Sequence, residues 1–291
     1  MKILVTGASG FIARNIIEQL KSGYTIIPCN SAELNLLDSD KVFDFIKTGK
    51  FDVVIHTATY DAAPKHSTKD PSKVLEYNLR MFFNLARCKD YFGKMIYFGS
   101  GAEFSREYWV PKMKEDYFDR HVPQDQYGFS KYIMNKFARL SENIYNFRLF
   151  AVFGKYDDYR VRFVSYACAA AALSLPITIE KNVSFDYLYI DDLVNITEWF
   201  INKSPREKDY NVCTCRVYDH LTLAKKVLKI CGKDLEVIVK EDSPGIEYSG
   251  DNSRLMNEVG EYSFKDIDDS IKEIYSWYSA NKNIIDKEYL C

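Results

Sequence analysis

Short apolar runs alternate along the chain with stretches whose apolar residues return every three or four positions, which predicts strands and helices in turn. Lys2 to Thr6 is the first run. Beyond Gly7-Ala8-Ser9-Gly10, the residues Phe11, Ile12, Ile16, Ile17 and Leu20 share one face of a helix. A second run, about Thr25 to Cys29, precedes a helix from about Ser39, read as its N-cap, to Thr48. Phe51 to His56 reads as a buried parallel strand, Pro71 to Lys89 as a helix and Lys94 to Gly99 as another strand. Helices are predicted over 127–141 and, alanine-rich and suited to packing, from Ala167 to Leu175. Pro176 to Ile179 is a short strand, and Asp191-Asp192 reads as the cap of a helix that runs to Ile201.

Composition narrows this picture. At 291 residues the chain suits one large domain, or a nucleotide-binding domain with a smaller lobe. Hydrophobic residues make up 47% and charged residues 27%, enough for a substantial core and unlike a disordered chain. A formal charge of −2 argues against a nucleic-acid or anionic-membrane surface. The seven cysteines (29, 88, 168, 213, 215, 231 and 291) show no metal-ligand spacing, and no metal is expected. They read as buried thiols of a reducing cytoplasm. Met1-Lys2 leads straight into a core strand and no apolar run is long enough to span a bilayer, so a soluble cytoplasmic protein is expected.

The glycine turn carries the first chemistry. A strand that ends in Gly7-x-x-Gly10 and opens a helix sets backbone N–H groups and the positive end of a helix dipole against a pyrophosphate. Ala13 stands where a third glycine would fit. The second strand ends in Asn30-Ser31, without the carboxylate that would grip an adenosine ribose and repel a 2′-phosphate. That tilts the choice toward NADP over NAD, with Ser9, Arg14, Asn30 and Ser31 as candidate phosphate contacts. The small-residue turn after His56 lets backbone approach a ribose at Ala58, while His56 itself is read as structural.

Tyr127 and Lys131, four residues apart on a predicted helix, lie on one face. Moving a tyrosine from its usual pKa toward neutrality needs roughly 4 kcal/mol of favourable local potential, and an adjacent ammonium in a partly desolvated cleft is the expected source. Ser100, at the carboxyl end of the strand 94–99, sits where open parallel sheets bind ligands. Its hydroxyl beside the phenol would complete a site for moving a proton on or off a sugar oxygen.

Taken in order, Thr6-Gly7-x-x-Gly10-Phe11-Ile12, Ser100 and Tyr127-x-x-x-Lys131 resemble the extended short-chain dehydrogenase/reductases of the nucleotide-sugar epimerase/dehydratase group. Arg148 to Gly154, Asp186 to Asp192, Ser249 to Leu255 and Ser270 to Trp277 extend the resemblance over nearly the whole chain. Ala32 to Ser39 and Phe98-Gly-Ser100 look most like GDP-L-fucose synthase and related 4-keto-sugar reductases. The resemblance implies an α/β fold: a Rossmann doubly wound parallel sheet with a small C-terminal α/β substrate lobe. Residues 1–154 with a returning segment near 185–204 would form the first, and 155–184 with 205–291 the second. It implies Tyr127 as acid/base, Lys131 as holder of the nicotinamide ribose and Ser100 as ligand of the sugar oxygen. It places the dinucleotide against Gly7, Ser9, Gly10, Phe11, Ile12, Asn30, Ser31, Leu36, Ala58, Asn78, Lys131 and Phe150. A homodimer packed through 71–89 and 127–141 is also implied.

Departures from the family pattern select the reaction. The Thr-Asp-Glu set of the 4,6-dehydratases is replaced by Ser100-Gly101-Ala102, with Glu103 one place out of register. The cysteine and histidine with which the fucose synthases epimerise are missing: Ala102 holds the first position, and no histidine lies between His121 and His220. Ala151 and Phe185 stand where the family has an asparagine and an arginine for the substrate phosphates. Either Arg160, Arg162 or Arg254 binds the diphosphate, the first two being equally read as solvated charges, or the substrate is not an ordinary nucleotide sugar. The expectation is an NADPH-dependent reductase of a nucleotide-linked 4-keto (6-deoxy) sugar in surface-polysaccharide synthesis. An NAD-dependent 4-epimerase and a non-catalytic dinucleotide-binding regulator are the alternatives.

Overall fold

The computed structural model describes residues 1–62, 66–241, 243 and 245–290. In chain order the elements are β1 (Lys2–Thr6), α1 (Phe11–Leu20), β2 (Thr25–Cys29), α2 (Ser39–Gly49), β3 (Phe51–His56), α3 (Val74–Ala86) and β4 (Phe92–Ser100). There follow α4 (Gln126–Arg139), β5 (Ile144–Leu149), β6 (Ala151–Phe153), α5 (Phe163–Ala172), β7 (Ile177–Lys181), β8 (Ser184–Tyr189) and α6 (Ile190–Asn202). The chain closes with β9 (Asp209–Val212), β10 (Val217–Asp219), α7 (His220–Cys231), β11 (Val237–Glu241), β12 (Glu247–Tyr248), α8 (Ser253–Val259) and α9 (Ile267–Ala280).

Six parallel strands form the main sheet in the order β2-β1-β3-β4-β5-β9. Successive strand residues point to opposite faces, so continuous apolar runs feed two cores. Ile3, Val5, Val53, Ile55, Ile96 and Phe98 pack on one face with Ala13, Ile16 and Leu20 of α1 and Leu193, Ile196 and Phe200 of α6. Leu4, Val54, Met95 and Tyr97 pack on the other with Val42 and Ile46 of α2, Phe82 and Leu85 of α3 and Met134 of α4. The strand order reverses at β1, between β2 and β3, which opens a ligand crevice at the carboxyl ends. This is a Rossmann-like doubly wound α/β fold.

Elements assigned from sequence differ in detail. Asp38, not Ser39, caps α2, its carboxylate accepting from the Lys41 N–H. Pro71–Lys73 is a 3-10 turn and the α-helix proper starts at Val74. Asp191 and Asp192 do not cap α6. They lie in its first turn, where Asp192 accepts from Tyr262 and from the Lys265 N–H. The division between sheet and lobe also runs differently. β9, from the stretch assigned to the lobe, extends the main sheet beside β5, whereas β8 joins β6, β10 and β12 in a smaller sheet. β7 and β11 pair separately. No helix among the described residues is long and apolar enough to cross a membrane.

Candidate active site

The glycine turn is built for close approach. Gly7 has φ +67, and a Cβ there would lie 2.8 Å from the Ala58 Cα and 3.0 Å from the Thr57 hydroxyl. Gly10 stands at the N-cap of α1 and supplies no capping side chain, so the N–H groups of the first turn, with Phe11 and Ile12, face the crevice. Ser9 is exposed beside them. A Cβ-free cradle closed by Ala58, under an uncapped helix, fits the pyrophosphate and ribose of a dinucleotide.

The remaining predicted contacts are placed unevenly. Asn30 turns its amide oxygen back onto the N–H groups of Ala32 and Glu33, and Glu33 returns a carboxylate to the Asn30 N–H at 2.7 Å. A carboxylate therefore does reach the end of β2, delivered from four positions past the strand. Ser31 is exposed at the same turn, and the Arg14 guanidinium lies 3.5 Å over the Tyr156 ring. Asn78 is buried and fully used: it accepts from the Tyr60 N–H and Thr59 and donates to the Tyr60 and Val74 carbonyls. It braces the loop after β3. Leu36 is in the core with its carbonyl held by Asn84, and Phe150 packs 5.0 Å from Tyr248 in an aromatic cluster below the cleft.

The structure brings Ser100, Tyr127 and Lys131 together at the carboxyl end of β4. Asp125 caps α4 through the Gly128 N–H, which fixes the first turn carrying Tyr127. Gly128 is itself required, because a Cβ there would meet the Ala102 carbonyl at 2.8 Å. Ser100 is near enough to Tyr127 to favour its ionised form and, 3.4 Å away, meets the Tyr248 hydroxyl; it also accepts from the Ala102 N–H at 3.2 Å. Lys131 is buried, donates to the Phe98 carbonyl at 2.8 Å and lies 5.7 Å from the centre of the Tyr127 ring.

The electrostatics reverse one expectation. Burial, reinforced by the Asp61 carboxylate, pushes the Tyr127 phenol up to about 12, against the opposing pull of Arg162, the Ser100 hydrogen bond and Arg106. Desolvation also brings Lys131 down to about 8, although Glu103 and Asp61 favour its charge. The ammonium does not carry the phenol toward neutrality. It is aimed at a backbone carbonyl, and desolvation outweighs charge at both groups. Burial thus keeps the Tyr127 phenol protonated at neutral pH. His56, bonded to Thr6 at 2.9 Å, is held neutral by burial at about 3.

Glu103 lies beneath the serine turn. It accepts from the Ser100 N–H, Asn135, Asn146 and Arg148, and is closed off from the cleft. Arg148 continues to Asp209, which also holds Arg139 and Arg254. Arg254 is bound in addition to Asp116, so this candidate for a diphosphate is committed to carboxylates. Arg160 forms a bidentate pair with Asp158, at 2.7 and 2.9 Å. Arg162, exposed at the start of α5, acts electrostatically on Tyr127, Tyr187 and the buried Asp157, which brings its charge to bear on the phenol.

The cleft wall is aromatic. Trp109 stacks on Tyr248 at 4.0 Å, Phe185 meets Tyr248 edge-on, and His220 stacks on Phe163 at 3.9 Å while bonding Tyr187. Sequence reasoning missed Tyr248, Trp109 and Asp61. None belongs to a motif, and the pairing of β12 with β8 is what brings Tyr248 to Ser100. The six described cysteines are free thiols, four of them buried; Cys291 lies outside the described residues.

A family model for the NAD-dependent epimerase/dehydratase family matches residues 3–213. The chain belongs to that family. An NAD-dependent epimerase/dehydratase of this kind is an extended short-chain dehydrogenase/reductase, an enzyme working with a nicotinamide dinucleotide. The chain is 24% identical to a GDP-L-colitose synthase of Yersinia pseudotuberculosis, over 97% of this chain and 99% of that one. Its fold matches a GDP-mannoheptose C4 reductase from Campylobacter jejuni with NADP bound, at TM-score 0.82, 19% identity and coverage of 95% and 98%. It also matches a UDP-glucose 4-epimerase from Thermus thermophilus in complex with NAD, at TM-score 0.81, 21% identity and coverage of 96% and 99%.

Proposed function

We propose that this epimerase/dehydratase family member reduces a nucleotide-linked 4-keto (6-deoxy) sugar with NADPH, in the cytoplasm, for surface-polysaccharide synthesis. The observation that carries the reading is the grouping of Ser100, Tyr127 and Lys131 at the carboxyl end of β4, with an alanine at 102. Burial keeps the Tyr127 phenol protonated at neutral pH, so it holds the proton that an alkoxide formed by reduction takes up. Ser100 holds the ketone oxygen beside it, and Lys131 reaches the ribose edge from the Phe98 carbonyl. The Gly7–Gly10 cradle and the N-terminus of α1 bind the dinucleotide, which supplies the hydride when bound. The packed aromatic wall of Trp109, Tyr248 and Phe185 keeps that side of the cleft apolar, which strengthens each of these bonds. Ala102 in place of a cysteine leaves the neighbouring carbons without an acid/base pair, which fits reduction without epimerisation.

Arg162 is the proposed ligand of the substrate phosphates, since Arg160 and Arg254 are engaged elsewhere. The preference for NADP over NAD rests on Ser9, Asn30 and Ser31, with the Glu33 carboxylate opposing it. A homodimer through α3 and α4 is the proposed assembly. The decisive experiment follows coenzyme oxidation against GDP-, CDP- and dTDP-4-keto-6-deoxy sugars, with NADPH and NADH in parallel. Consumption of NADPH with one of them is expected. Binding of coenzyme with no ketone consumed would overturn the reading.

A further inference from the structure

Resting on that reading, we propose that Tyr248 is a positioning residue that directs the Ser100 hydroxyl proton toward the reacting oxygen. The Ser100 oxygen has one hydrogen to give and two lone pairs. One lone pair takes the Ala102 N–H at 3.2 Å. Two phenols lie near this oxygen: Tyr127, the proposed acid, whose ionised form Ser100 favours, and Tyr248, whose oxygen is 3.4 Å from Ser100 and 3.4 Å from the Leu149 carbonyl.

These contacts allow two arrangements. If Tyr248 donates to Leu149, its oxygen is left to accept from Ser100, and the serine proton points away from the chemistry. If Tyr248 donates to Ser100, the second lone pair is filled and the serine proton can only be given onward, to Tyr127 or to the substrate oxygen. A buried network of this kind polarises its members cooperatively. Donation to the serine also makes it the stronger donor where negative charge develops.

The placement of the ring supports a built position. Tyr248 is buried, stacked on Trp109, whose indole N–H is fixed on the Gly101 carbonyl at 3.1 Å. A Cβ on Gly101 would lie 2.6 Å from the Tyr248 hydroxyl, so that glycine is what admits the phenol to the serine turn. The opposite edge of the ring meets Phe150 and Phe185. The hydroxyl therefore has little freedom except the rotation that chooses between Ser100 and Leu149.

The test uses Tyr248→Phe, which keeps the stack on Trp109, together with Ser100→Ala and the double variant. Tyr248→Phe is expected to lower kcat about tenfold with KM nearly unchanged, and to cost almost nothing further once Ser100 is alanine. Full additivity of the two losses would overturn the proposal. A second measurement needs no substrate and so stands apart from the functional reading. The Tyr127 phenol is titrated by carbon NMR of labelled tyrosine with oxidised coenzyme bound, Tyr127→Phe giving the assignment. Removing the Tyr248 hydroxyl is expected to move that titration upward by about half a pH unit, as Tyr127 loses part of a hydrogen bond. A downward or absent movement would show that Ser100 was giving its proton to Tyr248, or that Tyr248 only fills space.

Discussion

Lys131 and Arg148 are both buried cations within the influence of Glu103, one at the mouth of the cleft and one in the layer below, yet their environments treat them oppositely. For Arg148, burial opposes the charge, but Glu103 and Asp209 outweigh it and the guanidinium is held more firmly than in water. For Lys131 the same penalty wins, and the ammonium falls to about 8. Arg148 has a fork of donors, each matched to Glu103, Asp209 or Asn211. Among the described residues Lys131 donates to one protein acceptor, a neutral carbonyl. The compensated cation is architecture, and the undercompensated one is the group proposed to hold the nicotinamide ribose.

That contrast breaks most visibly at Arg148. Arg148→Met strands Glu103 and Asp209 as buried carboxylates and is expected to destabilise the protein by about 3–5 kcal/mol in urea titration. A loss as small as that of a surface change would mean the knot is solvated. Lys131→Met should act in the opposite sense on stability while abolishing turnover. Depression from 10.5 to about 8 costs the folded state about 3 kcal/mol at neutral pH, less about 1 kcal/mol for the lost bond to Phe98. The sign follows from proton counting: between pH 8 and 10.5 the unfolded chain holds the lysine proton and the folded one has released it, so wild-type stability rises with pH there. The advantage of the methionine variant is therefore complete below pH 8 and fades toward 10.5, which melting curves across that window would show. The smallest effect is expected at the rim. Arg162→Gln should raise KM for a nucleotide-linked ketone about tenfold with kcat little changed, as loss of a charge-assisted bond predicts. An unchanged KM would assign the phosphates to another residue.

The comparison also explains what could be read from the chain. The strands β1, β3 and β4 were legible because both faces are buried and the runs are continuously apolar, and the glycine turn because Gly7 must adopt a positive φ against Ala58. Ser100, Tyr127 and Lys131 were legible as a motif in order. What lay hidden is what distant chain segments bring. Glu33 folds back onto β2, and Asp61 raises Tyr127 from across the cleft. Tyr248 arrives by way of a two-residue strand. β9, four residues with an aspartate and an asparagine in it, gives no apolar run; it is held in the main sheet because Asp209 and Asn211 serve Arg148. The pKa of Tyr127 went the unexpected way for the same reason: sequence spacing places Lys131 beside it but does not report how far both are desolvated.

Tyr127 is the proposed proton donor in a net reduction, and the most direct measurement is coenzyme stoichiometry with the proposed 4-keto-sugar substrate. Equal amounts of coenzyme oxidised and alcohol formed, with Tyr127→Phe slowed by about 10²–10⁴, is the predicted result. Interconversion of C4 epimers with no net change in coenzyme would contradict it, since that cycle needs the tyrosine to take a proton first.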